Sequence, residues 1–188
     1  MKAAGYAPGR DLGIALDPAS SEFYEKGTYN LECEGKHLSS NEMIAYYEDL
    51  LGKYNIFSLE DGLAEDDWDS WPALNSKMGG RIIIMGDDLT VTNVQRLQKA
   101  IDLKAINAIL IKPNQVGTLS ETIEAMELAH KNRLKTTVSH RGGGETTDTF
   151  IIDLAVAAGA EYVKVGPSRG ERVVKYNRLM TIADELGL

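Results

Sequence analysis

The chain is poor in cysteine, in positive charge and in long apolar runs, and each shortage excludes something. Its 188 residues include one cysteine, Cys33, so no intrachain disulfide can form. That residue sits in the polar stretch NLECEGKH, the setting of an inert thiol rather than a nucleophile, and such usage fits a reducing compartment. No apolar run approaches the length of a membrane span, and the opening MKAAGYAPGR lacks the apolar segment of a signal peptide. A cytoplasmic location is the expectation. Twenty Lys and Arg stand against 28 Asp and Glu, a net charge of −8 at pH 7, which repels nucleic acid and anionic membrane and argues against both as partners. There is no dinucleotide fingerprint, and GGGET lacks the Lys-Ser/Thr ending of a P-loop. No Cys/His cluster offers itself to a soft metal, and no Ser-His-Asp ordering suggests a hydrolase triad.

What is present is a rhythm. Six apolar runs (GIAL, IFSL, IIIMG, AILI, KTTVS and EYV) lead one after another to Asp17, Glu60, Asp87, Lys112, His140 and Lys164. The intervals after the first are 27, 25, 28 and 24 residues, each suited to one strand and one crossover helix. Strands are expected at 12–16, 56–59, 82–85, 108–111, 136–139 and 162–165. Between them, Ser40 caps a helix from 41 to 53 with Ile44, Tyr47, Leu50 and Leu51 as its stripe. Further helices are expected at 68–78, stopped by Gly79-Gly80; after a Thr92 cap, with Val94, Leu97, Ala100 and Ile101 inward; and at 121–132 behind a Thr118/Glu121 capping box. Two more are expected at 147–158 and 171–186. Residues 25–40 form a polar excursion with a small hairpin at GTYNLE. The fold class is therefore α/β, a single domain over 1–188 built of about six parallel βα units with right-handed crossovers. Six units do not close an eight-stranded barrel; the chain is either an open sheet or a piece of something larger.

Parallel β/α folds collect their chemistry at the C-terminal ends of the strands. Asp17, Glu60 and Asp87 are hard oxygen ligands that would repel one another strongly without a cation, and Mg2+ suits such a set. By spacing alone Asp61 and Asp88 compete with their neighbours for that role, while the run Glu65 to Asp69 reads as a solvated loop. Lys112 and Lys164 at strand ends can act as bases or as counter-ions. Together with three carboxylates they suggest a polyanionic substrate. Arg141 offers a fork for phosphate or carboxylate, and Gly142, Gly143 and Gly144 permit close backbone approach to an anion. Trp68 and Trp71, three apart, read as packing residues, as do Met43, Met78, Met85, Met126 and Met180.

The stretches ALDPASSEFY, SLEDGLAEDDWDSW, GDDLTVTN, LIKPNQVGTLSETIEA, VSHRGGGETTDTFIIDLAVA and GERVVKYNRLMTIADELG cover almost the whole chain. In this order they resemble the C-terminal barrel of the enolases, the phosphopyruvate hydratases of glycolysis. The resemblance implies a partial TIM-type barrel of about six βα units, lacking the first strands and the capping domain. It implies a Mg2+-dependent lyase that interconverts 2-phosphoglycerate with phosphoenolpyruvate and water. The family's metal ligands fall on Asp17, Glu60 and Asp87, its proton-abstracting base on Lys112 and its substrate-binding lysine on Lys164. His140 and Arg141 fall on its SHR motif, and with Gly142, Lys164, Glu60 and Asp87 they are the expected substrate-binding residues. A second Mg2+ bridges substrate carboxylate and phosphate in the family. Three positions depart from the pattern: Gly142 stands where serine commonly helps bind phosphate, Pro113 replaces valine and Val165 replaces threonine. They open an alternative, a homologue acting on a related phosphono or carboxylic acid; a third is a non-catalytic residual domain. The family's general acid has no counterpart in this sequence; Glu22 is at most supporting. The chain is expected to be a fragment, a truncated gene model or one part of a split enzyme, inactive alone, with a homodimer or a complementing N-terminal chain as its partner.

Overall fold

The computed structural model describes residues 1–140, 146–167 and 169–188. They fall into two compact units, the first formed by Met1–Thr90 with Lys99–Asn107 and the second by Val91–Gln98 with Ala108–Leu188.

In the first unit, β1 (Ile14–Leu16), β5 (Ile56–Glu60) and β6 (Ile83–Gly86) run parallel in that order. Leu16 lies opposite Leu59, and Glu60 opposite Met85, so the tips of these strands are in step. Between β1 and β5 the polar excursion forms an antiparallel meander of β2 (Tyr24–Glu25), β3 (Thr28–Leu31) and β4 (Lys36–Leu38) rather than a single hairpin. Its first turn places Lys26 and Gly27 at φ 52° and 85°, the left-handed pair that a two-residue hairpin loop requires. Helix α1 (Ser40–Lys53) follows. Its cap is Ser39, not Ser40: only Ser39 has a glutamate three residues on, and with Glu42 it closes a full capping box. The Ser40 hydroxyl instead donates to Asp67 at 2.6 Å. Helix α2 (Trp71–Met78) begins three residues later than the pattern suggests, with Pro72 in its first turn. Trp71 is fully buried and donates its indole N–H to the Ala64 carbonyl; Trp68, outside the helix, lies under the Lys99 ammonium at 3.9 Å.

Helix α3 (Val94–Asp102) is capped by Asn93, whose Oδ1 accepts from the Gln95 and Arg96 amides, and not by Thr92.

In the second unit, β7 (Ala108–Ile111), β8 (Lys135–Ser139) and β9 (Tyr162–Lys164) are parallel and in register, Ser139 opposite Lys164. Pro113 ends β7 as expected and opens a short helix, α4 (Pro113–Val116). Helix α5 (Leu119–Lys131) is capped by Thr118, whose hydroxyl accepts from the Glu121 amide. Helices α6 (Phe150–Ala157) and α7 (Gly170–Leu186) complete the unit.

Strands β6 and β7 are buried along their whole length, as near-continuous apolar runs should be when both faces are covered. Four of the five methionines read as core are buried; Met180 is 60% exposed on α7, a correction to the expected set. Helical spacing cannot tell a core stripe from a stripe that nothing covers.

Candidate active site

The first unit gathers carboxylates at its strand tips. Glu60 closes β5, and Asp17 follows the register partner of Leu59, so these two come side by side from neighbouring strands. One carboxylate oxygen from each of Asp17, Glu60 and Asp61 lies within 4.8 Å of the other two; a second such trio is Asp61, Asp87 and Asp88. The two trios share Asp61 and together contain all three residues expected to meet a metal. Glu60, Asp61 and Asp87 are buried, while Asp17 is exposed.

Asp61 organises this end of the unit. Its Oδ1 accepts the Asp87 amide at 3.0 Å and its Oδ2 the Asp88 amide at 2.9 Å. Its own N–H donates to the Met85 carbonyl, and its carbonyl accepts from the Ser20 amide. To do this it adopts φ 44°, a left-handed conformation at the point where β5 must stop. Burial raises its carboxyl to about 8; the two amides pull it down, and the charges of Asp87 and Asp88 push it further up.

The donor set is all carboxylate oxygen, the chemistry of a hard divalent cation. Opposite ligands of a Mg2+ stand about 4.2 Å apart, so trios of this span suit such an ion.

The acidic run beyond has a structural use. Asp67 Oδ2 accepts from the Tyr29 hydroxyl at 2.8 Å as well as from Ser40. The Tyr29 oxygen in turn accepts the Ala64 amide at 2.9 Å, tying the loop to the meander.

In the second unit the strand tips carry the nitrogen groups. Lys112 follows β7 and is half-buried; its N–H donates to Thr92 Oγ1 at 2.9 Å. His140 follows β8 and is half-buried, and Lys164 closes β9 with its side chain exposed. The Ser139 hydroxyl reaches the carbonyls of His140 (3.0 Å) and Lys164 (2.8 Å), linking the two tips. Arg141, Gly142, Gly143 and Gly144 lie outside the described residues. Lys175, 2% exposed, donates to the carbonyls of Thr146 and Glu171 at 2.7 Å and so holds the segment that follows them.

A family model described as enolase, C-terminal TIM barrel domain, matches residues 1–188. The chain belongs to the enolase family. Enolase 1 of Methanospirillum hungatei JF-1 is 53% identical over 188 residues, which are 100% of this chain and 44% of that protein. The chain thus spans less than half the length of the curated relative it matches. As an enolase barrel segment it has the expected fold class, a partial (β/α) barrel made of parallel βα units. Among the described residues no helix is long and apolar enough to cross a membrane.

Sequence reasoning missed the hydrogen bonds that Asp61, Thr92 and Ser139 make at the strand tips of this enolase chain. Asp61 was visible only as a rival ligand, Thr92 only as a cap and Ser139 only as the end of a strand.

Proposed function

We propose that this chain is the metal- and lysine-bearing part of a Mg2+-dependent hydro-lyase that interconverts 2-phosphoglycerate and phosphoenolpyruvate plus water. The observation that carries this is the pair of overlapping carboxylate trios at the tips of β1, β5 and β6, within a chain whose whole length matches the enolase barrel family. Asp17, Glu60 and Asp87 are the residues that would hold Mg2+. When bound, the ion would offset the negative charge that builds on the substrate carboxylate as C2 loses its proton.

A hydrogen beside a carboxylate is a very weak acid, so its removal needs a placed base and charge stabilisation where the second negative charge develops. Lys112, as the neutral amine, takes the C2 proton on Nζ. The electron pair moves into the carboxylate, and the Lys164 ammonium stabilises that doubly charged group. The pair then returns to form the C2–C3 double bond as the C3 hydroxyl leaves as water, taking its proton from a general acid of the complementing part or from solvent. His140 and Arg141 bind the substrate, with Arg141 on the phosphate, and Gly142 lends backbone rather than a hydroxyl. A small phosphorylated acid is the partner, nucleic acid and membrane are not, and the location is cytoplasmic. Both units belong to one barrel domain in this reading, completed by a second copy or a complementing chain.

The test is exchange of the C2 proton of 2-phosphoglycerate with solvent deuterium in the full-length protein. Lys112→Ala retaining most of the exchange would count decisively against the base. A second reading, a related phosphono or carboxylic acid as substrate, is favoured by Pro113, which opens α4 directly after the base, and by the buried Val165 after Lys164. Turnover of such an acid in preference to 2-phosphoglycerate across a substrate panel would establish it. A chain that binds no Mg2+ would support the non-catalytic reading.

A further inference from the structure

Thr92 stands in a conformation that its residue type disfavours. Its φ is 55°, and Val91 before it has φ 43°. Two consecutive β-branched residues in the left-handed region are costly, and such outliers persist only where the surroundings hold them. Glycine or asparagine would take this backbone more cheaply, but neither carries a hydroxyl on the β-carbon.

The hydroxyl is what the position uses. The side chain is fully buried. Thr92 Oγ1 accepts the Lys112 N–H at 2.9 Å and donates to Gln115 Oε1 at 2.6 Å. The Gln115 N–H donates to the Lys112 carbonyl at 2.9 Å. Lys112, Thr92 and Gln115 thus close a ring that engages both backbone polar groups of the lysine. The ring sits where the chain changes direction. The register of β7 with β8 ends at Ile111, one residue earlier, and Pro113 after the lysine has no N–H to offer. The Thr92 hydroxyl therefore secures the lysine backbone at the hinge between β7 and α4.

We propose that Thr92 is a positioning residue that aims Lys112, with Gln115 holding the Thr92 hydroxyl in its donating orientation. The proposal rests on the reading of Lys112 as the base. A base must lie within hydrogen-bond reach of the proton it takes, and a displacement of about 1 Å at such a group can cost on the order of 100-fold in rate.

Two measurements test it. In the 188-residue chain, amide exchange at Lys112 is followed by NMR. In the full-length protein, C2 proton exchange of 2-phosphoglycerate is followed for Thr92→Val, Thr92→Ser, Gln115→Met and Lys112→Ala. Thr92→Val keeps shape and branching but loses the hydroxyl. It is expected to deprotect the Lys112 amide and to lower the maximal exchange rate about 10- to 100-fold, with KM within about twofold. Thr92→Ser restores most of the rate and the protection. A wild-type rate for Thr92→Val beside a dead Lys112→Ala overturns the positioning role and leaves the base reading standing. Exchange retained in Lys112→Ala overturns the base reading, and the proposal with it. Thr92→Ser as slow as Thr92→Val, with the Lys112 amide still protected, also overturns it. If Thr92→Val does not fold, Gln115→Met decides: a lowered rate at unchanged KM supports the ring, and a wild-type rate refutes it.

Discussion

Asp61→Asn should change the pH dependence of stability more than stability itself. The wild-type carboxyl is buried against Asp87 and Asp88 and is raised to about 8 from an ordinary value of 3.8. The folded state therefore holds this proton more tightly than the unfolded chain does. The stabilisation is fully present below 3.8 and is lost as pH rises towards and through about 8. At about 1.4 kcal/mol per pH unit, the loss across that window is on the order of 5 kcal/mol, a large part of the 5–15 kcal/mol that holds a typical domain together. Asparagine cannot ionise. It keeps one oxygen for one of the two amides but turns an NH2 group towards the other, which costs about 1–3 kcal/mol for a buried donor left unmade.

Two curves follow. Without divalent cations, the wild-type chain should be the more stable at acid pH and should lose ground steadily to Asp61→Asn as pH rises towards about 8, the two crossing between about pH 4.5 and about 6. Taking the difference between the two proteins cancels the titrating groups remote from Asp61, including Glu34, Glu42 and Glu48, whose partners hold them below the usual carboxylate range. Urea unfolding followed by tryptophan fluorescence at half-unit steps of pH measures the difference directly. Parallel curves, with a constant offset from pH 4 to 8, would refute a buried Asp61 carboxyl that holds its proton in the folded state.

Magnesium should raise the unfolding free energy of the wild-type chain at pH 8, by about 2.7 kcal/mol when present at a hundred times its dissociation constant. Chelation should reverse the gain and Glu60→Gln should abolish it; an equal gain in that variant would remove Glu60 from the ligand set. Tyr29→Phe should cost about 1–3 kcal/mol, because the buried Ala64 amide loses its acceptor and Asp67 a donor; a loss below about 0.5 kcal/mol in urea would show that water replaces the hydroxyl. Trp71→Ala should cost about 3–5 kcal/mol as a fully buried side chain is emptied, read from the same unfolding curves. The 188-residue chain alone should dehydrate little 2-phosphoglycerate, and substantial formation of phosphoenolpyruvate by it would refute the need for a complementing part.

How far the sequence could be read divides along a physical line. An apolar run followed by a polar tip is enough to find β5, β6 and β7, because runs this short, set between helix-length segments, suit a strand better than a helix, as at the fully buried Ala108–Ile111. The acidic character of the first three tips follows from the same rhythm. Short polar side chains in pairs are different. Thr92 and Asn93 are equally good caps, and Glu60 and Asp61 equally good ligands, when only local spacing is considered; between Ser39 and Ser40 the glutamate three residues after Ser39 decides. In each pair one member takes the local or ligand-facing role, and the other bonds to something far along the chain: Ser40 to Asp67, Thr92 to Lys112, Asp61 to the amides of Asp87 and Asp88. Those partners lie 20 to 27 residues away, so for Thr92 and Asp61 no window of helical or strand length contains the interaction that holds them. A positive φ marks two of the three, Thr92 and Asp61, and neither is a residue type from which that conformation would be guessed. Where a threonine or aspartate accepts a glycine's conformation, its side chain has a long-range bond that offsets the cost, and in this chain both such bonds end on the residues proposed to carry the chemistry or beside them.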